Sequence, residues 1–513
     1  MEVTTTLAVI VPVYNEQFLV QNSLSRLQVL GESPLLCRIK VIVVDDSSTD
    51  QTPAALSRFQ ELIHGSSQWS KFDWKFLHHP RNQGKGAAIR TGLAYADTDL
   101  SVIHDADLEY HPHDLLKMIP LFLENEADAV FGSRFLTGDF RRVLFFWHAL
   151  GNRVLTFLCG IICNLNISDM ETCYKMVRTR LLKSIPLESA DFRIEPELTI
   201  KLAKRRARIF EVPISYSGRT YQEGKKINTW DGLLAFGAIL KHAVSDHIYV
   251  ADAYGSEIVV RLNRAPRFTR WMADTVRPYL RNRVLEIGAG IGNMTVNLIP
   301  CSMYWATDVN PLYLDDLRTL SRDKPYLRVA FTDVTDLHSF PTNQKFDTVV
   351  CLNVIEHIHD DIAALLNIRE VLEESGRAIV LVPQGPHLYG SLDRVLGHHR
   401  RYTREHLIAT GKQAGFRVRE VLDFNKMSVP AWWLNGRVLQ RTTFGLWQIK
   451  MLNVLVPFLR NLDRWLPFPP LSLIAIFEKI SDGDGTGASD TVETKLQADQ
   501  DKSREGVRGM PAF

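Results

Sequence analysis

The stretch Val102-Ile-His-Asp-Ala-Asp-Leu-Glu-Tyr-His-Pro112 decides how this chain is read. Leu100 to Ile103 is a mostly apolar run and predicts the end of a buried strand. It stops at two carboxylates one residue apart, Asp105 and Asp107. Side chains at i and i+2 of an extended segment project the same way. Two carboxylates on one side repel each other unless a cation joins them. Hard ions such as Mg²⁺ or Mn²⁺ suit carboxylates and phosphates together. Alone, the pair fits a solvated turn as well, so its surroundings decide.

Working outward, Leu7–Val13 and Ile39–Val44 are short continuous apolar runs, as in strands buried on both faces. The first ends in Tyr14-Asn15-Glu16, the second in Asp45-Asp46-Ser47-Ser48. Trp74–Leu77 predicts a third strand, and Asn82–Ala88 opens a helix with small residues. Strands alternating with helices predict right-handed βαβ units and a mostly parallel sheet. Ligands of such sheets bind beyond the carboxyl ends of the strands. Glu16, Asp46, Asp105 and Asp107 all fall there, so four separate residues become one candidate site. A GxGxxG turn after the first strand and a Walker lysine loop are both missing. Acids in place of glycines suit a hydrogen bond to a base or ribose, with a metal on a diphosphate.

Residues 7–235 resemble a family 2 glycosyltransferase of the GT-A fold, and within it the polyprenyl-phosphate sugar synthases of the dolichyl-phosphate mannose synthase type. The matching blocks are VIVPVYNE (9–16), VVDDSSTD (43–50), NQGKGAAIRTG (82–92), DADLEY (105–110), GSR (132–134), SDMETCYKM (168–176), FRIEPEL (192–198) and EVPISYSGRTYQEGKKI (211–227). The resemblance implies that Pro12, Tyr14, Glu16 and Asp46 hold the nucleoside of a nucleotide-sugar. Asp105 and Asp107 would carry Mg²⁺ or Mn²⁺ and the diphosphate, with Glu109 nearby. Arg134, Arg219 and Lys225 would contact phosphates, where arginine offers a fork of donors and lysine a point charge. The implied reaction displaces the nucleoside diphosphate with inversion at the anomeric carbon. Asp169 is the candidate general base if the acceptor is a hydroxyl. A phosphate acceptor needs little base help, and Asp169 would then position it. A plain helix N-cap is the alternative for Asp169.

Other features of this half carry milder expectations. His104 reads as a packed neighbour, Gly84 and Gly86 as places of close backbone approach, and Lys204 to Arg208 as a solvated basic face. Val143–Ile167 lacks acidic residues and is very apolar. It reads either as a helix pair on the core or as a surface dipping into a membrane interface to meet a lipid-linked acceptor.

The chain has 513 residues with 45% hydrophobic and 23% charged content, values of a globular protein with two or three domains. A net charge of +2 gives no overall attraction to nucleic acid, and none is expected as a partner. Six scattered cysteines without a CxxC pair argue against structural zinc. With no signal-peptide pattern and no uninterrupted apolar run of roughly 18–20 residues, the expectation is a cytoplasmic protein. Contact with the cytoplasmic face of a membrane stays open.

The domains expected are 1–245, a helical junction at 246–280, 281–480 with an apolar helical insertion at 427–470, and a disordered tail at 481–513. The third rests on Arg283-Val-Leu-Glu-Ile-Gly-Ala-Gly-Ile-Gly-Asn293, a strand running into a glycine turn. Met303–Thr307 is a second strand ending at Asp308, and Phe346–Leu352 a fourth leading into Asn353-Val-Ile-Glu-His-Ile358. A glycine turn alone also fits NAD. ExGxGxG, the acid after the second strand and NVIEHI together resemble class I S-adenosylmethionine-dependent methyltransferases over residues 252–480. That resemblance implies a seven-stranded sheet, with Glu286, Gly288 and Gly290 at the methionine end of the cofactor. It puts Asp308 on the ribose, Asp333 and Val334 at the adenine, and Asn353 beside the sulfonium. His357 is the candidate base for O-methylation, against a plain packing role. His398-His399-Arg400-Arg401-Tyr402 reads as an acceptor-binding loop for an anionic acceptor, because adjacent histidines seldom face one metal and no acids accompany them in sequence. Met427–Pro470 interleaves tryptophans with basic residues, which suits a helical cap over the site or an interfacial anchor.

The whole is two Rossmann-like α/β domains and predicts a bifunctional transferase of cell-envelope glycan or glycolipid synthesis. It would move a sugar to a polyprenyl phosphate or glycan acceptor and a methyl group from S-adenosylmethionine. The alternatives are a chain-extending polysaccharide synthase with a hydroxyl acceptor, or one domain acting only as a scaffold.

Overall fold

The computed structural model describes residues 4–136, 146–218, 229–245, 247–250, 265–341, 344–441 and 445–480. The chain divides into two compact units, Met1–Ala251 and Asp252–Phe513. Arg219, Lys225, the tail from 481 and the stretch 251–264 lie outside the described residues.

The first unit is built on β1 (Thr5–Val13), β2 (Leu36–Asp45), β3 (Phe72–His78), β4 (Leu100–Ile103), β5 (Ala129–Ser133), β6 (Lys175–Arg178) and β7 (Ile209–Pro213). They form one sheet in the order β3-β2-β1-β4-β6-β5-β7. β3, β2, β1 and β4 run parallel, and β6 runs antiparallel to both β4 and β5. The apolar runs of β1 and β2 are buried almost throughout, as expected for strands covered on both faces. Val13 pairs with Asp45 and Ile10 with Ile103, so three strands end on one edge and their following loops meet there. The helix Lys85–Tyr95 packs close on the sheet because Gly92 has no Cβ. One there would lie 2.6 Å from Ile10 Cγ2.

The described part of the apolar stretch Val143–Ile167 is one helix, Phe146–Cys163. Its inner face packs Cys159 with Met170, Ile200 and Ile239, while Trp147, Phe157 and Ile161 are 76%, 67% and 64% exposed. It is 18 residues long and apolar enough to cross a membrane by length and composition, a length that counting uninterrupted apolar residues had missed. The basic run also departs from expectation. Lys204 donates to the last carbonyls of the helix Thr229–Val244, and Arg205 is buried with its guanidinium 3.9 Å from the Tyr249 ring. Cations at a helix C-terminus satisfy carbonyls that lack partners in the helix.

The second unit contains β8 (Arg283–Ile287), β9 (Met303–Asp308), β10 (Leu327–Phe331), β11 (Phe346–Leu352), β12 (Leu372–Pro383), β13 (Phe416–Phe424) and β14 (Ser472–Lys479). Their order is β10-β9-β8-β11-β12-β14-β13, with β14 antiparallel to both neighbours. This is the seven-stranded sheet expected, closed by the two late strands. The helix Pro266–Val276 buries Trp271, Ala273 and Val276 against Val284 and Tyr304, so it is part of this unit's core. The insertion splits in two. Its first part packs by Trp432 under Arg401, 4.8 Å from guanidinium to ring. Its long helix Leu446–Asp463 lies on Pro266–Val276 through Val456 and an Arg460–Asp274 ion pair of 2.7 Å.

Candidate active sites

In the first unit the edge loops are stitched together by short polar side chains. Asn15 adopts φ +52° and its Oδ1 accepts from Thr49 N at 2.8 Å, while Glu16 N donates to Thr52 Oγ1 at 2.8 Å. Pro12 is half-buried next to last in β1, Tyr14 is exposed, and Glu16 is buried. Asp46 does not cap the helix Thr52–Ile63. Its carboxylate accepts from His79 Nδ1, Gln83 N and Gly84 N at 2.6, 2.9 and 2.6 Å, and so fixes the turn before the next helix. Gly84 (φ +90°) and Gly86 are needed because a Cβ at either would strike the carbonyl of Ala190 or Ser189.

Asp105 follows β4, and Lys85 donates to its Oδ2 at 2.9 Å. Lys85 also lies 3.2 Å from Glu195, which takes Lys175 on its other oxygen at 2.6 Å. Burial opposes the charge on Asp105, but Lys85 outweighs it and holds the carboxyl below its ordinary range. His104 is packed as expected, between Ser23 Oγ (3.1 Å) and Tyr174 OH (2.9 Å). Asp107 accepts from Glu109 N at 3.1 Å across Leu108, which has φ +64°. Glu109 accepts from Tyr216 OH at 2.7 Å, and the Tyr216 ring lies 5.1 Å from the Arg134 guanidinium. Two aspartates give an all-oxygen donor set of the kind Mg²⁺ and Mn²⁺ prefer, and 21% of the Asp105 side chain stays exposed beside Lys85.

Arg134 and Asp169 form a two-pronged pair, Nε–Oδ2 and Nη2–Oδ1 both 2.7 Å, with Asp169 fully buried. Asn152, on the apolar helix Phe146–Cys163, donates to the same Oδ1 at 3.1 Å. Burial opposes ionisation of Asp169, yet Arg134 and its hydrogen bonds keep it below the ordinary carboxylate value. No helix starts at Asp169, so the N-cap reading is corrected. Both oxygens are engaged, which leaves neither free in this conformation to accept a proton. Sequence reasoning missed Lys85, Lys175 and Glu195, although each lies inside a quoted block. The signal was charge in a buried setting: Glu195 and Glu197 in the first turn of an otherwise buried helix, Ile194–Lys204.

In the second unit β8 runs into Gly288 (φ +71°), Gly290 (φ +56°) and Gly292 (φ +83°). A Cβ on Gly288 would sit 2.4 Å from Val354 Cγ2, so the turn can approach the NVIEHI segment only as glycine. Asp308 ends β9, accepts from Gly290 N and Asn310 N at 2.8 Å each, and is held against the glycine turn. This cradle fits S-adenosylmethionine. Glu286 faces inward instead. Its Oε2 accepts from Thr295 Oγ1 and Tyr304 OH, and burial pushes its carboxyl up to about 7. Asp333 binds Thr335 within its own turn, Val334 is buried with its carbonyl bonded to Asn367, and Asn353 is exposed at the end of β11.

The loop 398–402 corrects the reading of a basic acceptor surface. His398 and Arg401 are buried on Asp393 at 2.9 and 2.8 Å, and Tyr402 is buried on Asp361 at 2.7 Å. Arg400 lies 3.0 Å from Asp361. Asp361 comes from another segment, whereas Asp393 lies five residues before His398 on the helix Ser391–Leu396. Glu356, fully buried, has both carboxylate oxygens without a hydrogen-bond partner. Burial pushes its carboxyl up to about 8 and the His357 imidazole down to about 4, leaving His357 neutral.

Residues 8–185 match the model of glycosyl transferase family 2, and residues 285–378 match that of a methyltransferase domain. The chain therefore joins a family 2 glycosyltransferase domain to a methyltransferase domain, and it is a transferase enzyme. Over its first half it is 27% identical to a dolichol-phosphate mannosyltransferase of Pyrococcus furiosus, across 42% of this chain and 58% of that protein. It is 25% identical to the UDP-N-acetylglucosamine–dolichyl-phosphate N-acetylglucosaminyltransferase of Methanococcus voltae, across 45% of this chain and 93% of that one. Among solved structures it is similar to glucosyl-3-phosphoglycerate synthase from Mycobacterium tuberculosis with Mn²⁺, UDP and phosphoglyceric acid. That likeness has TM-score 0.36 and 17% identity, over 49% of this chain and 81% of that one. It is also similar to a methyltransferase bound to the Trm112 activator of Haloferax volcanii, at TM-score 0.32 and 15% identity, over 45% and 96%.

Proposed function

We propose that the first unit transfers a sugar from a nucleotide-sugar to a polyprenyl phosphate at the cytoplasmic face of a membrane. The observation that carries this is the bond from Asn152 to Asp169. It ties an outward-facing apolar helix directly to the Arg134–Asp169 pair, so a lipid surface and the phosphate-binding arginine share one support. Asp169 with both oxygens occupied suits an acceptor that is already nucleophilic, which favours a phosphate over a hydroxyl. Asp105 and Asp107 would hold Mg²⁺ or Mn²⁺, which supplies Lewis-acid stabilisation of the departing diphosphate. Glu16 and Asp46 serve the nucleoside, Asp46 by fixing the turn at Gly84. Lys85 keeps Asp105 ionised and oriented, and Arg134, released from Asp169, offers its fork to phosphate.

The second unit methylates with S-adenosylmethionine, held by the glycine turn and Asp308. Neutral His357 is placed to accept a proton from an acceptor hydroxyl. The methyl goes to the sugar, its lipid carrier or the glycan end. The test is to incubate the full chain with a polyprenyl phosphate, a panel of nucleotide-sugars and Mn²⁺, then analyse lipid extracts by mass spectrometry. A glycosyl phosphate lipid is expected. Transfer to an oligosaccharide hydroxyl, with no sugar on the lipid phosphate, would overturn the reading.

A further inference from the structure

Glu356 is a buried acid of the second unit whose carboxylate oxygens have no hydrogen-bond partner. Its Oε1 lies 3.9 Å from His398 Nε2, and His357 brings a second imidazole, its ring 4.8 Å from that of His398 and nearly perpendicular to it. One oxygen or nitrogen from each of the three residues falls within 4.8 Å of the others. Donors sharing one ion at about 2.1 Å lie about 3–4 Å apart, so small side-chain rotations close the set. The histidine is also prepared. His398 gives its Nδ1 to Asp393, and Asp393 is itself fixed by Arg401 Nε and Gly390 N at 2.8 and 2.9 Å. That bond selects the tautomer with the proton on Nδ1 and leaves a lone pair on Nε2, directed at Glu356. A carboxylate behind the far nitrogen is the usual support of a metal-bound histidine.

We propose that Glu356, His357 and His398 form a binding site for one borderline divalent cation beside the methyl-donor cradle. Two imidazoles and one carboxylate are a set that suits Zn²⁺ or Co²⁺ and leaves coordination positions open. The segment is adjacent to the glycine turn, because Val354 is the residue that a Cβ on Gly288 would strike. An ion held by these three donors would keep coordination positions for an oxygen of the acceptor, and His357 would then be a ligand, replacing the free-base role given above. That role rests on the methyltransferase reading, but binding of the ion does not.

The test uses the full chain, stripped with a chelator and titrated with Co²⁺ alone. Visible d–d bands from one equivalent are expected, and they should persist in Asp105→Asn/Asp107→Asn, whose site offers only oxygens. Glu356→Gln and His398→Ala should each abolish them while S-adenosylmethionine still binds by calorimetry. Bands unchanged in either variant, or absent from the parent chain, overturn the proposal. Persistent S-adenosylmethionine binding without the bands sinks the metal site and spares the methyltransferase reading. X-ray absorption of the unaltered chain with one equivalent of Zn²⁺ gives a check that needs no variant to fold. Two imidazole scatterers are expected, and an all-oxygen shell overturns the proposal.

Discussion

Both units pair buried aspartates with arginines, Asp169 with Arg134 in the first and Asp393 and Asp361 with Arg401 and Arg400 in the second, but they differ in their buried glutamates. In the first, Asp105, Asp169, Glu195 and Glu197 each have a cation within 2.6–2.9 Å: Lys85, Arg134, Lys175 and Lys201. In the second, Glu286 is held by two hydroxyls, and Glu356 by no hydrogen bond at all. A buried charge is tolerable only when paired, so an acid left unpaired is driven towards its neutral form. These charges of the first unit are thus balanced, and on the function proposed above a diphosphate and its metal would enter by exchanging partners within that set. In the second, burial favours the neutral form of Glu286 and Glu356, so they carry little charge until a cation reaches them.

The separation is tested most strongly by reciprocal loss. Asp107→Ala should lower glycosyl transfer by about 10³-fold or more, the scale of losing one group that stabilises a leaving charge. S-adenosylmethionine binding should be unchanged. Gly288→Val should do the reverse, since φ +71° and a 2.4 Å Cβ contact exclude a side chain. Rates of both transfers and cofactor calorimetry on the two variants read this directly. If both activities fell together in either variant, the comparison of two independent sites would be broken.

Pairing in the first unit makes a further demand on stability. Arg134→Met leaves Asp169 buried and alone, and should destabilise the unit by about 3–5 kcal/mol. Adding Asp169→Leu should restore much of the loss, because both charges are then gone. Melting of the single and double variants measures it. A single variant as stable as the parent would mean that Arg134 is held for ligand binding only.

The acids without cations predict an opposite response to pH. Glu286 has an ordinary value of 4.5 and about 7 in the folded chain. Its folded value is raised, so its favourable contribution is complete below about pH 4.5 and lost as pH rises to about 7. The loss is about 3 kcal/mol. Asp169 has its folded value lowered from 3.8, so its contribution is present above that value and lost as pH falls below it. Glu286→Gln should flatten the decline between pH 4.5 and 7 in denaturant titrations, and leave the acid limb that Asp169 controls. A decline unchanged in that variant would remove Glu286 from the account.

How much of this was legible follows from what sequence encodes locally. Strand ends were readable, because apolar runs such as Leu7–Val13 stop at polar turns, and so Asp105, Asp107 and Asp308 were found. The glycine turn at 288–292 was readable for the same reason. Partnerships were not. Lys85 reaches Asp105 across 20 residues, and His398 reaches Glu356 across 42, distances over which no periodicity carries information. The loop 398–402 reads as a basic surface along the sequence, whereas in the fold Asp393, five residues before it, and Asp361, from a distant helix, neutralise it. Counting charges along the chain therefore located acids at strand ends and misjudged their electrostatics.

The smallest expected effect concerns the outer face of the helix Phe146–Cys163, which has no counterpart in charge. Its inner side is fixed by Thr156, which accepts from Met170 N at 3.1 Å, and by buried Cys159, so the outward residues contribute little to folding. Phe157→Ser and Ile161→Ser should leave the melting temperature within error. Each apolar side chain that enters a lipid surface contributes about 1.5–3 kcal/mol when fully buried, and partial entry gives roughly half. The Michaelis constant for a polyprenyl phosphate in vesicles should therefore rise about tenfold, while hydrolysis of the nucleotide-sugar without acceptor stays constant. A water-soluble short-chain acceptor should show no change, because it never needs the surface. If the short acceptor suffered equally, the helix would serve the Arg134–Asp169 pair through Asn152 alone. The first unit would then have only its charge pairs, and no lipid surface, to set against the second.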